Sequence, residues 1–184
     1  MTEREAELQA VRLQTLEVHG KPIELAEYDP AWPELYGREA EKIRAALGDR
    51  VRALEHAGST SVPGLAAKPI IDIVLAVADS ADENAYVPAL ELAGYVLAIR
   101  EPDWHQHRLL KGTDPIVNLH VFSHGLAEVE RMLAFRDRLR TNEAERLLYE
   151  RTKRELARRT WTYTQDYADA KTQVVEAILA RAGA

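Results

Sequence analysis

The sequence predicts an α/β fold, a mixed β-sheet with a C-terminal helical layer. Three observations carry that expectation. The run Ile70-Ile71-Asp72-Ile73-Val74-Leu75 is apolar on both faces, as a central strand covered by helices must be. Strand-like and helix-like stretches are mixed up to about residue 122, and beyond it the periodicity is helical alone. The 184 residues, 46% apolar and 29% charged, suffice for one domain with a buried core and a solvated surface.

Residues 1–21 read as a polar helical extension, with a helix over 2–17 ended by His19-Gly20-Lys21-Pro22. Residues 22–184 read as the domain proper. Ile23 and Leu25 suggest a short strand, after which Asp29-Pro30 caps a helix whose Trp32, Leu35, Tyr36, Ala40, Ile43 and Leu47 recur at helical spacing. Val51 to His56 and Pro69 to Val77 read as strands, 82–93 as a helix, and 95–99, 104–110 and 115–122 as strands. Helices are expected over 126–140, 143–159 and 163–182.

Composition excludes some chemistry. The chain has no cysteine, which removes disulfides, thiolate nucleophiles and Cys-based zinc sites. Its first 18 residues lack the continuous apolar stretch of a signal peptide or membrane span, so a cytoplasmic protein with no membrane partner is expected. A net charge of −6 argues against general nucleic-acid binding. The charge is uneven, because residues 131–159 carry ten Lys or Arg against five Asp or Glu. That stretch fits a surface that meets phosphates, and equally a pair of helices with salt-bridged, solvated faces. Tyr149 is the one aromatic between Phe135 and Trp161, too few for base stacking on RNA.

The most informative segment runs from Glu55 to Ile73. Between two expected strands, Gly58-Ser59-Thr60-Ser61 offers backbone N–H groups and hydroxyls that can turn toward an anion, and such a loop can also satisfy only itself. The spacing from Gly58 to Gly64 and the position of Lys68 do not make a Walker loop. Asp72 stands in a strand so apolar that its carboxylate needs a partner, either a divalent cation or an ion pair with Lys68, Arg136 or Lys171. Arg136 falls on the apolar stripe of helix 126–140, and Lys171 on that of the last helix, so both cations point inward. His105 and His107 are expected two apart on one strand face.

The run from Glu55 to Ile73, with Tyr28-Asp29-Pro30-Ala31-Trp32-Pro33 before it and Asn118-Leu119-His120-Val121 after it, resembles the GrpB family. The likeness continues through Phe135-Arg136-Asp137-Arg138-Leu139-Arg140 to Tyr167 and Lys171. The resemblance implies a fold of the nucleotidyltransferase type, whose active members pair a Gly-Ser loop with acids holding two metal ions. On that footing Gly58, Ser59, Thr60 and Ser61, with Lys68, Arg136 and Lys171, are expected to bind a nucleotide or other small phosphorylated ligand. Asp72 and His120 are expected to hold Mg or Mn, with Asp72, Glu55 and His56 as the catalytic groups and Glu55 or His56 taking the acceptor's proton. The reaction so implied is metal-dependent transfer of a nucleoside monophosphate to an acceptor the sequence does not identify. The chain departs from the pattern at one place: the positions two residues either side of Asp72 are Ile70 and Val74, so the companion acid is missing, which favours the alternative of a non-catalytic nucleotide-sensing or protein-interaction module on the same fold.

Overall fold

The computed structural model describes residues 1–183, so Ala184, the end of the expected domain, lies outside the described residues. Five strands form one mixed sheet: β1 (Ala53–Ala57), β2 (Ile71–Val77), β3 (Val96–Glu101), β4 (His107–Thr113) and β5 (Ile116–Ser123). Their order across the sheet is β1-β2-β5-β4-β3, with β2 and β5 parallel and the other neighbours antiparallel. The expected mixed sheet is thus present, and the apolar Ile71–Val77 run lies inside it as β2.

Alternation along β2 and β5 separates the two faces. Ile71, Ile73 and Leu75 face one way with Val117, Leu119 and Val121, against α2 (Trp32–Leu47) and α3 (Val87–Leu92). On α2, Trp32, Ala40, Ile43 and Leu47 supply the helical stripe, each 3% exposed or less. Full burial of one such Ile or Leu stabilises the fold by about 1.5–3 kcal/mol.

The other face carries Asp72, Val74, Asn118, His120 and Phe122. Helix α4 (Ala127–Thr141) covers its Ala57, Val74 and Phe122 end through Leu126, Val129 and Met132. Beyond α4, α5 (Glu143–Ala157), α6 (Thr164–Asp169) and α7 (Thr172–Ala182) complete the helical layer. They leave the Asp72, Asn118 and His120 end of this face open to a cavity.

Several boundaries differ from the sequence reading, each for a local reason. The leading helix is α1 (Glu3–Ala10), not 2–17. Gln9 bonds the carbonyls of Arg12 and Gln14 and the amide of Leu16, which turns the chain out of the helix, and Arg12 then bridges to Ile99 on the β3 edge. Residues 23–28 make only isolated pairings, such as Ala26 with Ala67. The expected helix over 82–93 is a 3-10 turn (Glu83–Ala85) followed by the short α3, which starts around Pro88. The last helix is divided into α6 and α7 at Ala170 and Lys171. Finally, β4 starts at His107, because His105 and Gln106 take left-handed backbone angles (φ 56° and 52°) in a tight turn. That turn separates His105 from His107 and undoes their expected pairing on one strand face.

Among the described residues no helix is long and apolar enough to cross a membrane.

Candidate functional site

The open face of the sheet floors a cavity of about 870 Å3. Asp72 and Asn118 are cross-strand partners on β2 and β5, and the Asn118 amide donates to Asp72 Oδ1 at 3.0 Å. Lys111 of β4 pairs with Asn118, and His120 lies one position further along the same face. The Gly58 loop forms one wall. There Ser59–Ser61 make a single 3-10 turn, and Gly58 has φ 64°. A Cβ on Gly58 would lie 2.3 Å from Asp72 Oδ2, so this position admits only glycine.

Hydroxyl by hydroxyl, the loop is mostly self-satisfied. Thr60 Oγ1 donates to the carbonyl of Ile70, and Ser61 Oγ donates to that of Gly58 at 2.6 Å. Ser59 Oγ accepts from Lys153 Nζ at 3.0 Å. Of the four loop residues expected to bind phosphate, Ser59 and Thr60 line the cavity, and Ser61 is turned into the protein.

What dominates the cavity is positive charge. Five cationic side chains line it, Lys68, Lys111, Lys153, Lys171 and Arg12, against two carboxylates, Asp72 and Glu17. Lys68 and Lys171 both stand over the ring of Tyr167, 5.8 and 4.5 Å from its centre. Lys153, 2% exposed, also bonds the carbonyl of Ala66. Burial pushes the pKa of Lys153 down to about 7, with help from Lys171. It pushes Lys171 down to about 8, helped by Lys68. Burial would raise the Asp72 carboxyl, but the nearby His120, the Asn118 amide and Lys68 outweigh it and hold the group below its usual value. The hydroxyl of Tyr167, itself 1% exposed, is buried without a hydrogen-bond partner.

Three expected site residues lie elsewhere. His56 is on the opposite sheet face, stacked on Tyr36 at 4.7 Å and 3.1 Å from Thr60 Oγ1; burial, then Arg140, push its pKa down to about 4. It braces the loop from behind and does not reach the cavity. Glu55 shares the face of Asp72 but is tied to Arg136 Nη1 at 2.8 Å. Arg136 also donates to the carbonyl of His56 at 3.0 Å and pairs with Asp137, so its inward guanidinium is engaged by these groups and does not line the cavity. Arg136→Ala is expected to cost about 1–3 kcal/mol in urea denaturation, because it strips a charged donor from a buried carbonyl.

The metal implied by the resemblance can be tested on the donor set. Among the described residues no three His, Cys, Asp or Glu are grouped to hold a metal ion. Asp72 and His120 come nearest, with Nε2 3.8 Å from Oδ1. One carboxylate oxygen is taken by Asn118, the other packs against Gly58, and lysines stand around the carboxylate. This set does not fit Mg²⁺ or Mn²⁺, which ask for several oxygen ligands.

Two residues central to the cavity, Lys153 and Lys111, escaped the sequence reading. Lys153 carried a usable signal: it lies on the α5 stripe of Tyr149, Leu156 and Ala157, as Lys171 does on its own stripe.

The site is thus an α/β sheet with a glycine-bounded loop over a strand aspartate, beside a cavity walled by lysines. The family model described as "GrpB protein" matches residues 22–181. The chain belongs to the GrpB family. It is 57% identical over 178 residues to a "UPF0157 protein" of Halalkalibacterium halodurans, covering 97% of this chain and 91% of that one. It is also similar to the "conserved protein GrpB" of Enterococcus faecalis, whose crystal structure superposes with a TM-score of 0.72 at 32% identity, covering 86% of this chain and 98% of that one. A stretch of 89 residues, 47% of this chain, is 36% identical to 22% of a "Dephospho-CoA kinase" of Mycolicibacterium paratuberculosis.

Proposed function

We propose that the cavity binds a small phosphorylated molecule, a nucleotide or related phosphate ester, with lysines taking the charge-neutralising part that metal ions take in active nucleotidyltransferases. The observation that carries this is five cationic side chains facing two carboxylates in one partly buried cavity. Apposed ammonium groups repel one another at close range, and a phosphate chain relieves that repulsion while accepting their hydrogen bonds. The unpartnered hydroxyl of Tyr167, beneath Lys68 and Lys171, is a further donor that a phosphate oxygen would satisfy. The stretch shared with a protein named as a kinase agrees with a phosphorylated ligand and adds nothing finer.

Transfer of a nucleoside monophosphate, the reaction implied by the resemblance, is not supported by this donor set: the companion acid is missing and Glu55 is engaged by Arg136. A binding or sensing role on the same fold needs only the cavity. Calorimetry with ATP and with inorganic triphosphate, each with Mg²⁺ and with EDTA, tests the proposal. Binding of both probes in EDTA is expected. Absence of binding under every condition would sink it.

The lysines also set a pH dependence of opposite sign for stability and for binding. From about pH 7, where Lys153 titrates in the fold, up to the ordinary lysine value of 10.5, the unfolded chain holds more protons than the folded one. These two groups therefore make the free protein more stable as pH rises through that window. Only the ammonium form attracts phosphate, so the rise in Tm given by inorganic triphosphate should shrink over the same range. Thermal melts with and without triphosphate, at about pH 6.5 and about pH 9, read both trends.

A further inference from the structure

A second chain of polar groups reaches the same cavity from the β3 edge. Glu101 and His107 are cross-strand partners, and Glu101 Oε2 lies 2.6 Å from His107 Nδ1. His107 Nε2 in turn lies 3.1 Å from Nδ1 of His120, with the two rings stacked 5.2 Å apart. Trp104 packs edge-on against His107 and Phe122 stacks on it, so the ring is clamped. His107 is 4% exposed, and burial lowers its pKa despite Glu101, which keeps the imidazole neutral.

The directions of these bonds follow from donor and acceptor chemistry. An ionised carboxylate only accepts, so His107 carries its proton on Nδ1 and keeps a lone pair on Nε2. That lone pair can be satisfied only if His120 carries its proton on Nδ1. A doubly protonated ring would point an N–H at Asp72 and lower its pKa; the neutral ring instead turns a bare Nε2 into the cavity, 3.8 Å from Asp72 Oδ1. Two acceptors stand side by side there, and neither can satisfy the other.

We propose that Glu101 and His107 fix the Nδ1-protonated tautomer of His120, so that Asp72 Oδ1 and His120 Nε2 share the proton of a hydroxyl group of the bound ligand. The inference rests on the reading of the lysines as a phosphate site and sharpens it: the ligand is a phosphate ester bearing a free hydroxyl, as sugar phosphates and nucleotides do, and not an inorganic phosphate. Glu101 and His107 touch no ligand in this arrangement; they are positioning residues. The ordering Glu–His–His resembles the way a carboxylate commonly orients an imidazole that must present one chosen nitrogen.

Two-bond ¹H–¹⁵N correlation spectra at about pH 8, where imidazoles are neutral, test the tautomer directly. Protonated Nδ1 on His120 is expected in the unaltered chain, and a shift toward protonated Nε2 in Glu101→Ala and in His107→Phe. Glu101 is partly exposed and Phe retains the stacking at 107, so one variant covers for the other if either fails to fold. A His120 already protonated on Nε2 in the unaltered chain would overturn the proposal. Calorimetry with ATP and with inorganic triphosphate then tests the hydroxyl. His107→Phe should weaken ATP roughly tenfold and leave triphosphate within about twofold. Equal loss on both probes, or on neither, would contradict the hydroxyl site. So would stoichiometric Mn²⁺ broadening of the His120 signals, which would make the pair a metal site. Failure of both probes to bind the unaltered chain would count against the lysine reading instead, and the spectra would still decide the tautomer.

Discussion

Lys171→Met should weaken binding of inorganic triphosphate by roughly 10- to 100-fold while leaving the fold intact, the range for losing one charge-assisted contact to an anion in a partly buried site. Lys171 is placed at the break between α6 and α7, with its ammonium over Tyr167 and within the field of Lys68 and Asp72. Met keeps most of the length and the apolar stem. Removing a buried positive charge also relieves the repulsion that lowers the pKa of Lys153. The free variant should therefore melt no lower than the parent. Loss of affinity together with a large loss of stability would show that Lys171 is a structural residue instead. Circular dichroism melts beside calorimetry separate the two outcomes.

Gly58→Ala should be the most damaging single change to the site. The backbone at Gly58 is left-handed, and the added Cβ would stand 2.3 Å from Asp72 Oδ2 and 2.9 Å from its Cβ and Cγ. Gly64, at the far end of the same loop, provides a control: its φ is 77°, yet a Cβ there meets nothing within 4 Å. Gly64→Ala then carries only the left-handed penalty of about 1–2 kcal/mol. Gly58→Ala adds a collision with a carboxylate fixed in the sheet and should cost about 2–4 kcal/mol. Urea denaturation of the pair measures the difference. Equal effects would mean that the loop can move off Asp72, and the close approach of loop and strand would lose its meaning.

Much of this architecture was legible in the sequence because its signals are local. The stretch between Gly48 and Gly58 located β1, the apolar run after Pro69 located β2, and the Trp32 to Leu47 stripe located α2. Asp72 stood out because a carboxylate in an otherwise apolar strand has to be explained. Pairing register was not legible. Nothing local to His107 says that β4 will lie beside β5 so that its imidazole meets His120, and the tight turn at His105 and Gln106 depends on angles that L-residues seldom adopt. His56 and Glu55 were misplaced for a related reason. Adjacent residues of a strand point to opposite faces, so only one of them could look toward Asp72, and the one that does is engaged by Arg136, which was itself expected at the ligand. Lys153 was hidden among the charges of residues 131–159, most of which form the solvated ion pairs that composition suggested, such as Arg154 with Glu27 and Glu150.

In the proposed complex lysines, and not a metal held by Asp72, hold the phosphates. Asp72→Asn separates these directly, because the amide keeps an oxygen for Asn118 while losing the negative charge. Calorimetry of this variant with inorganic triphosphate in EDTA, at about pH 6 so that Lys153 and Lys171 keep their protons without help from Asp72, should show affinity equal to the parent's or greater, since one carboxylate no longer opposes the anion. Binding that disappears in the variant, or that in the parent requires Mg²⁺ or Mn²⁺, would contradict the account.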